Sequence, residues 1–357
     1  MAGTKSYRIA TIPGDGIGTE VIPAGQAVVD AISARHGFSM KWDEFDWSCE
    51  RYAETGLMMP EDGVDQIKNH DAIYLGAVGF PGVPDHVSLW GLLIPLRRQF
   101  DQYANVRPVK LLRGVTSPLA GRTAEDIDFI VVRENVEGEY SAIGGRSFAG
   151  TDREMASQQA VFTRFGTDRI MDYAFKMAQT RQRKHVTSAT KSNGIVHTMP
   201  FWDERFEAVA ANYPDVETAK FHIDILVAHF VLHPDWFDVV VGSNLFGDIL
   251  SDLGPAVAGS IGIAPAANIN PERIYPSMFE PVHGSAPDIA SKGIANPIAA
   301  IWTAAMMLEH LGEPDAAAEI VEAIEVSLEN DATRTADLGG TADTKQSVDA
   351  VLAALKA

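Results

Sequence analysis

The sequence is poor in cysteine and in positive charge. It has one cysteine, Cys49, among 357 residues, which excludes an internal disulfide and suits a reducing compartment. Its 29 lysines and arginines face 48 aspartates and glutamates, for a formal net charge of -19. This charge disfavours nucleic acid or an anionic membrane as a partner, so an anionic substrate would need a local cluster of arginines.

Long apolar segments are also missing. The longest mostly apolar run, 297–308, is shorter than the ~20 residues that span a bilayer. Residues 1–14 lack the apolar stretch that a signal peptide requires. We therefore expect a cytoplasmic protein. Its 46% hydrophobic content is enough for a full core, in two domains or one large α/β unit.

Residues 239–254 carry the strongest chemical signal. A run of valines predicts a buried strand, and the turn after it leads into a short helix that Gly254 and Pro255 are expected to end. Asp248 and Asp252 stand four residues apart, so both carboxylates project from one face of this helix. Asp248 could simply complement the helix dipole, but Asp252 would lie near the C-terminus, where an anion is unfavourable. The pair suits a hard divalent ion such as Mg²⁺ or Mn²⁺.

Three arginines occur where a ligand cleft is expected. Arg97 lies in the helix predicted over 89–103, in which Pro95 requires a kink or a late start. Arg107 follows this helix, and Arg133 ends a buried strand, where α/β sheets place their ligands. Each arginine alone is more often solvated, but three that converge would clamp a carboxylate.

Other candidate residues are weaker when taken alone. Asp224 stands inside the apolar run 221–227, where an unpaired carboxylate is costly and needs a cation, a metal or hydrogen bonds. Lys191 follows a predicted strand, and such a lysine is usually an ordinary surface residue. His229 and His233 are spaced like metal ligands, but no further soft ligand is near, and we interpret them as structural.

Two loops and one polar segment complete the pattern. The glycine turn at 14–18 misses the dinucleotide-binding fingerprint by one place, although its glycines let the backbone approach a ligand. The loop at 279–289 is rich in backbone donors and ends near Asp288, a possible acceptor for a ribose hydroxyl. Residues 139–163 form either a projecting hairpin that clasps a second subunit or a disordered segment. Strands that alternate with helices predict a parallel sheet with helices on both faces.

The chain resembles the β-decarboxylating dehydrogenases, the family of isocitrate and 3-isopropylmalate dehydrogenases. The resemblance runs from residue 12 to residue 340, and its most specific parts are 247–252 and 280–288. It implies an α/β, two-domain fold with non-Rossmann dinucleotide binding, and a homodimer with shared active sites. The implied units are a large NAD-binding domain over 1–102 and 256–357, a small domain over 103–255 with the dimer interface, and a clasp at about 139–163.

The resemblance also implies the roles of individual residues. The implied catalytic residues are Tyr140 and Lys191. The implied substrate-binding residues are Arg97, Arg107, Arg133 and Trp90. The implied metal ligands are Asp224, Asp248 and Asp252. The implied NAD contacts are Ile17, Glu280, His283, Gly284, Ser285, Ala286, Asp288 and Asn296. Within this scheme, Lys191 and Asp224 enter the site from the partner subunit.

The implied substrate depends on the stretch just before Arg97. Isocitrate enzymes place a serine and an asparagine there, and isopropylmalate enzymes a glutamate and leucines. This chain has Leu89 and Trp90 instead, and an indole would fill the space of a γ-substituent, so a short C4 acid should fit best. The stretches 88–91 and 201–205 resemble family members that act on D-malate and tartrates with Mn²⁺ or Mg²⁺ and a monovalent cation, usually K⁺.

The expected reaction is therefore NAD-dependent oxidative decarboxylation of D-malate to pyruvate and CO₂, with oxidation or decarboxylation of tartrates. Activity of the 3-isopropylmalate type is one alternative, and a non-catalytic regulatory member of the family is another. The intact Tyr140, Lys191 and three aspartates favour a working enzyme.

The choice of NAD over NADP depends on Asp288. A carboxylate accepts a hydrogen bond from the ribose 2′-hydroxyl and repels a 2′-phosphate. Relatives that use NADP place a lysine and a tyrosine where this chain has Asp288 and Ile289. Alternatively, Asp288 is an ordinary cap of a helix that begins at residue 289.

Overall fold

The computed structural model describes residues 5–356, so residues 1–4 of the predicted large domain and residue 357 lie outside it. The strands in the described part are β1 Lys5–Gly14, β2 Phe38–Glu44, β3 Ala72–Ala77, β4 Ala104–Lys110, β5 Asp128–Glu134, β6 Gly144–Ser147, β7 Met155–Gln158, β8 His185–Thr190, β9 Glu217–His222, β10 Val239–Gly242, β11 Pro265–Ile269 and β12 Ser277–Pro281. The α-helices are α1 Gly18–His36, α2 Cys49–Thr55, α3 Gly63–Ile67, α4 Asp85–Ser88, α5 Ile94–Gln99, α6 Arg164–Thr180, α7 Thr198–Ala210, α8 Ile223–Leu232, α9 Asn244–Ala258, α10 Ile298–Leu311, α11 Pro314–Leu328 and α12 Thr344–Ala354.

Ten strands form one mixed sheet in the order β2-β1-β3-β12-β11-β4-β5-β10-β8-β9. The first four strands are parallel to one another, and so are the last four. The three pairings at the centre, β12 with β11, β11 with β4 and β4 with β5, are antiparallel. The expectation of a parallel sheet is therefore wrong at the centre. The short connection at 270–276 explains one of these pairings, because a parallel crossover needs a dozen or more residues.

The predicted domain boundaries divide the sheet into two sets of five strands. The strands β1, β2, β3, β11 and β12 lie outside residues 103–255, and the other five lie within them. Both faces of the sheet are buried: Ile9 and Tyr74 pack in one apolar cluster, and their neighbours Ala10 and Ile73 pack in another. Such burial on both faces is typical of α/β proteins. Within residues 5–356, no helix combines the length and apolarity that a membrane crossing demands.

The glycine turn after β1 is shaped by contacts with neighbouring backbone. Gly14 and Gly16 have positive φ angles of 72° and 55°. A Cβ on Gly14 would overlap the carbonyl oxygen of Ala77, and one on Gly16 would overlap that of Ser285. The backbone N–H of Ile17 donates to the same Ser285 oxygen at 2.9 Å. These glycines therefore join the turn to the end of β3 and to the loop after β12.

The helix α9 does not end at Gly254 and Pro255, as predicted, but continues to Ala258. A Cβ on Gly254 would overlap the side chain of Val109, so this glycine lets the helix pack closely on β4. Pro255 lies in the last turn, where little helix remains to be disrupted. Asp252 consequently lies in the middle of α9 rather than near its C-terminus.

Two irregular segments flank the sheet near the site. Residues Leu89–Leu93 form a π-helical turn directly before α5, so the kink or late start expected from Pro95 is confirmed. The strands β6 and β7 pair only with each other, as an antiparallel hairpin whose residues are all exposed. Of the two alternatives for residues 139–163, the structure therefore shows the hairpin.

Candidate active site

The predicted arginines surround one cavity of about 250 Å³, here called the arginine cavity. Its lining comes from both sets of strands and from the segments beside them: Leu75, Gly76, Ala77, Val78, Leu89, Leu93, Arg97, Arg107, Arg133, Tyr140, Asp248, Glu280, Pro281, Val282, His283 and Gly284. The cavity therefore brings together α5, β4, the end of β5, α9 and the loop after β12.

Arg97 reaches the arginine cavity from α5 and pairs with Glu280. Its Nη2 donates to Glu280 Oε1 at 2.7 Å, and both side chains are buried. Burial alone would raise the pKa of Glu280, but Arg97 and the amide of Asn268 hold it below its usual value. The Nε of Arg97 is buried and has no partner among the described residues, so it is a donor ready for an anion.

Arg133 is fixed at the end of β5 by residues of α9. Its Nη1 contacts the carboxylate of Asp248. Its Nε and Nη2 donate to Asn244 Oδ1 at 3.1 and 2.7 Å. Burial lowers the pKa of Arg133 to about 10 against the opposing effect of Asp248, so the guanidinium remains charged at neutral pH.

Arg107 is held from three sides. Its Nε donates to Asn105 Oδ1 at 2.8 Å, and its Nη1 donates to Ser251 Oγ at 2.8 Å. The same Nη1 lies 3.4 Å from Asp252 Oδ1, and Nη2 lies 3.8 Å from Asp248 Oδ1. Because the carboxylates of α9 already face two arginines, the charges around the cavity are nearly balanced before any ligand enters.

Tyr140 closes this group of side chains. Its hydroxyl donates to Asp248 Oδ2 at 2.8 Å, and the guanidinium of Arg133 lies 5.5 Å from the centre of its ring. Burial, and then the negative charge of Asp248, raise the pKa of Tyr140 above its usual value. Burial would also raise the pKa of Asp248, but Arg133 and Arg107 hold it below its usual value. At neutral pH the pair is therefore a protonated phenol beside a carboxylate.

Asp248 and Asp252 fit a divalent metal by chemistry but do not complete its site. Their carboxylates are the hard oxygen donors that Mg²⁺ and Mn²⁺ prefer. Partial burial raises the pKa of Asp252, an effect that Arg107 opposes. Within residues 5–356 of a single chain, no three His, Cys, Asp or Glu side chains are grouped so that they could hold a metal. Asp248 and Asp252 alone therefore do not make a complete metal site within the described residues.

Lys191 and Asp224 lie apart from the arginine cavity and form a pair of their own. Lys191 Nζ is 2.8 Å from Asp224 Oδ1, and the side chains are 28% and 67% exposed. The expectation that Asp224 is surrounded by apolar groups is wrong: β9 ends at His222, and Asp224 lies exposed in the first turn of α8. Lys191 holds the pKa of Asp224 below its usual value.

Trp90 does not line the arginine cavity. It borders a neighbouring, more open cavity of about 660 Å³, and the residue is 38% exposed. Leu89 and Tyr140 line both cavities. Trp90 therefore borders the neighbouring cavity, next in the chain to a leucine that lines both cavities.

Six of the eight predicted cofactor residues fall into two sets. Glu280, His283 and Gly284 line the arginine cavity, and the buried Nε2 of His283 has no partner among the described residues. Burial lowers the pKa of His283, so its ring is neutral at physiological pH. Ile17, Ser285 and Ala286 lie where the glycine turn meets the loop after β12. The loop after β12 therefore offers one buried polar atom, His283 Nε2, to a ligand.

The remaining two predicted cofactor residues, Asp288 and Asn296, differ in whether their side chains are hydrogen-bonded within the chain. Asp288 is exposed and accepts no backbone N–H from any described residue, and residues 287–292 form turns rather than a helix. The interpretation of Asp288 as a helix cap is therefore wrong, and its carboxylate is open to a ligand. Asn296 instead donates to Asp337 Oδ2 at 2.9 Å and accepts from the N–H of Ile298 at 3.0 Å.

Sequence reasoning missed the polar residues that hold the arginines. Asn105 and Arg107 stand two apart on β4, on one face of the strand, and this spacing was a usable signal. Asn244 and Ser251 gave no comparable signal. Nor did the pairing of Glu280 with Arg97, since 183 residues separate them along the chain.

Comparisons with known proteins agree with this architecture. The model of the isocitrate/isopropylmalate dehydrogenase family matches residues 8–351. The tartrate dehydrogenase/decarboxylase of Pseudomonas putida is 59% identical over 349 residues, 96% of this chain and 95% of that protein. The D-malate dehydrogenase [decarboxylating] of Escherichia coli K12 is 58% identical over 354 residues, 97% of this chain and 98% of that protein.

A solved structure gives the same result at the level of the fold. The isocitrate dehydrogenase of Methylococcus capsulatus superposes with a TM-score of 0.89 at 36% identity, over 98% of this chain and all of that one. The fold class expected from the sequence is thereby confirmed. The chain belongs to the isocitrate/isopropylmalate dehydrogenase family.

Proposed function

We propose that this chain is an NAD- and divalent-metal-dependent oxidoreductase that converts D-malate to pyruvate and CO₂ and also oxidises tartrates. The observation that carries the proposal is the arginine cavity, in which Arg97, Arg107 and Arg133 converge beside the Tyr140–Asp248 pair. Two relatives of 58–59% identity are named for these substrates.

The size of the arginine cavity and the three guanidinium groups in its wall support a small dicarboxylic acid. Its volume of about 250 Å³ lies below the ~300–1,000 Å³ of pockets that hold drug-sized ligands. A substrate carboxylate would replace protein carboxylates as the partner of the arginines, and guanidinium groups bind such anions in a bidentate manner. The apolar side chains of Leu75, Leu89 and Leu93 leave little room for a further polar substituent.

Two cofactors complete the proposed site. Asp248, Asp252 and Asp224 of the partner subunit would hold Mn²⁺ or Mg²⁺, which when bound lowers the pKa of the substrate hydroxyl and offsets negative charge on its oxygen. The glycine turn and the loop after β12 would hold NAD⁺, which would supply the acceptor for the hydride of C2. The exposed Asp288 would favour the free ribose hydroxyl of NAD. A K⁺ requirement rests on the resemblance alone.

Lys191 and Tyr140 would divide the proton transfers. Lys191, entering from the partner subunit, takes the proton of the substrate hydroxyl as the hydride leaves C2. The resulting β-keto acid, oxaloacetate, loses its β-carboxylate as CO₂, and the electrons of the broken C–C bond remain on the enolate. Tyr140 then donates its proton to the enolate carbon to give pyruvate, and its raised pKa keeps that proton in place until this step.

A homodimer with shared sites would join the two groups of residues. The helices α8 and α9, which carry Asp224 and Asp248, also expose Ile225, Leu232, Leu245 and Ile249, and exposed apolar patches often mark an interface. The projecting β6–β7 hairpin offers a second contact. We also propose that residues 103–255 form the small domain of this dimer, that the rest forms the NAD-binding domain, and that the enzyme is cytoplasmic.

Steady-state kinetics would test the proposal. Purified protein is assayed with D-malate, L-tartrate, meso-tartrate and 3-isopropylmalate, with NAD or NADP, and with Mn²⁺, Mg²⁺ or chelator. We expect NADH, pyruvate and CO₂ in equal amounts from D-malate, dependence on metal and preference for NAD. A higher kcat/KM for 3-isopropylmalate would overturn the substrate assignment. No turnover of any of the four acids would favour a regulatory member of the family.

A further inference from the structure

Arg98 holds the residue that carries the catalytic phenol. Its Nη2 donates to the backbone carbonyl oxygen of Tyr140 at 2.6 Å and so ties α5 to the loop after β5. With this bond, Tyr140 is fixed at three points: its carbonyl by Arg98, its ring by Arg133 and its hydroxyl by Asp248. The hydrogen bond from Arg98 to Tyr140 reaches only the backbone of that residue, and Arg98 does not line the arginine cavity.

The same guanidinium lies against Trp90. Its carbon is 5.2 Å from the centre of the indole ring, within the range of a cation–π interaction. Trp90 belongs to the π-helical turn that precedes α5, and its neighbour Leu89 lines the arginine cavity. One side chain therefore contacts both the segment that shapes the cavity wall and the segment that carries Tyr140.

The charge of Arg98 has no carboxylate partner among the described residues, although acidic residues outnumber basic ones in this chain. Its neighbour Arg97 forms a buried ion pair with Glu280. A half-buried guanidinium that is balanced only by a carbonyl and a ring is suited to orienting those two groups, because its planar fork can donate to one while it stacks on the other.

We propose that Arg98 is a positioning residue that sets Tyr140 and Trp90 relative to each other. The inference rests on the proposed function, in which Tyr140 protonates the enolate carbon. If Arg98 is removed, the phenol moves within its loop, and a displacement of about 1 Å can slow a proton transfer on the order of 100-fold. Release of the indole loosens the wall at Leu89 and raises KM.

The kinetic test compares Arg98→Met, Arg98→Lys and the control Arg169→Met. Arg169 also stacks on an aromatic ring, 4.0 Å from that of Tyr103, and pairs with Asp101, but it lies outside the arginine cavity. We expect Arg98→Met to lower kcat for pyruvate about 10–100-fold and to release oxaloacetate, and Arg169→Met to change neither. A lysine can reach the carbonyl but cannot stack as a plane, so Arg98→Lys should recover kcat and keep the raised KM.

A purely structural role predicts a different pattern. All three variants would then lose activity in proportion to their loss of thermal stability, with an unchanged ratio of oxaloacetate to pyruvate. That result would overturn the inference. If the wild-type protein itself gives no pyruvate from D-malate, the proposed function fails, and the positioning role is decided by a measurement that needs no substrate.

Hydrogen–deuterium exchange provides that measurement. In Arg98→Met, we expect faster amide exchange in peptides that cover 88–93 and 138–143, with the exchange of α9 and α10 unchanged. Arg98→Lys should restore slow exchange at 138–143 only. Unchanged exchange of both segments in Arg98→Met would contradict the inference whatever the substrate is.

Discussion

The two groups of predicted site residues differ in how far one chain assembles them. The arginine cavity joins three buried arginines, Tyr140 and Asp248 through short contacts that bridge α5, β4, β5 and α9. The Lys191–Asp224 pair is well formed but exposed, and it borders none of that cavity. The arginine cavity is organised to receive an anion. The Lys191–Asp224 pair is an exposed ion pair that encloses no cavity for a ligand with the arginines.

This difference agrees with the proposal that two subunits contribute different residues to each site. Burying three arginines is costly unless carboxylates pair with them, and Glu280 and Asp248 supply that pairing within the chain. A lysine and an aspartate that remain in water need no such support and can approach a neighbouring molecule. In the proposed dimer, the fold of one chain would build the substrate-binding half of each site, and association of two chains would position the proton-accepting half.

The largest expected effect comes from substitution of Asp248, which contacts both Arg133 and Tyr140 in the arginine cavity. We expect Asp248→Asn to lose more than about 10⁴-fold in turnover, because it removes a metal ligand and the partner of both Arg133 and Tyr140. Circular dichroism and NAD binding should show that the fold persists. Full turnover of this variant in chelator-treated buffer would contradict the metal site. Asp349→Asn, at a surface ion pair on α12, provides the matched control.

The two proton-transfer residues should fail at different steps. Tyr140→Phe should slow formation of pyruvate by about 10²–10⁴-fold. Hydride transfer should slow less than pyruvate formation, so that oxaloacetate accumulates. Lys191→Met should slow hydride transfer itself by a similar factor, because the hydroxyl proton has no acceptor. Single-turnover measurement of NADH and of keto acid separates these outcomes. Failure of both variants at one step would remove the distinction between the two groups.

The buried carboxyl of Glu134 should make the stability of the fold depend on pH. Burial raises the pKa of Glu134, beside Arg133, to about 7, so the folded state binds a proton that the unfolded state has lost above its ordinary pKa near 4.5. Stability should therefore fall as pH rises from about 4.5 to 7, by up to about 3 kcal/mol, and then level off. Denaturant unfolding of wild type and Glu134→Gln checks this sign. Parallel pH curves for the two proteins would refute it.

The smallest expected effect concerns the cofactor, outside both groups. Asp288→Lys with Ile289→Tyr should narrow the preference for NAD over NADP about tenfold, through a higher KM for NAD and a lower KM for NADP. The exposed Asp288 caps no helix, so the double variant should keep its thermal stability. A preference ratio identical to that of the wild type would return Asp288 to an ordinary surface role.

Much of the arginine cavity followed from local sequence patterns. The spacing of Asp248 and Asp252 places both on one face of α9, and the strand that ends at Arg133 predicts a ligand edge. The pairing of Arg97 with Glu280 could not be predicted, since it depends on how α5 and β12 meet in space. Nor could the exposure of Asp224, because the apolar run around it divides into the end of a strand and the start of a helix.

The errors in the fold have similarly local causes. Alternating strands and helices suggested a parallel sheet, but the connection at 270–276 holds no crossover helix and forces an antiparallel pair. Gly254 and Pro255 signalled a helix end, whereas the close packing of Gly254 on Val109 lets α9 continue. In both cases a local feature of the fold outweighed a sequence pattern that usually predicts the structure correctly.

Heterodimer complementation most directly tests whether two chains share each active site. Chains with Tyr140→Phe and chains with Lys191→Met, each inactive as a homodimer, are tagged differently, co-expressed and purified as heterodimers. One of the two sites then combines an intact Tyr140 with an intact Lys191, so we predict about half of the wild-type activity. Activity no higher than that of either parent in verified heterodimers would contradict the claim that two chains share each site.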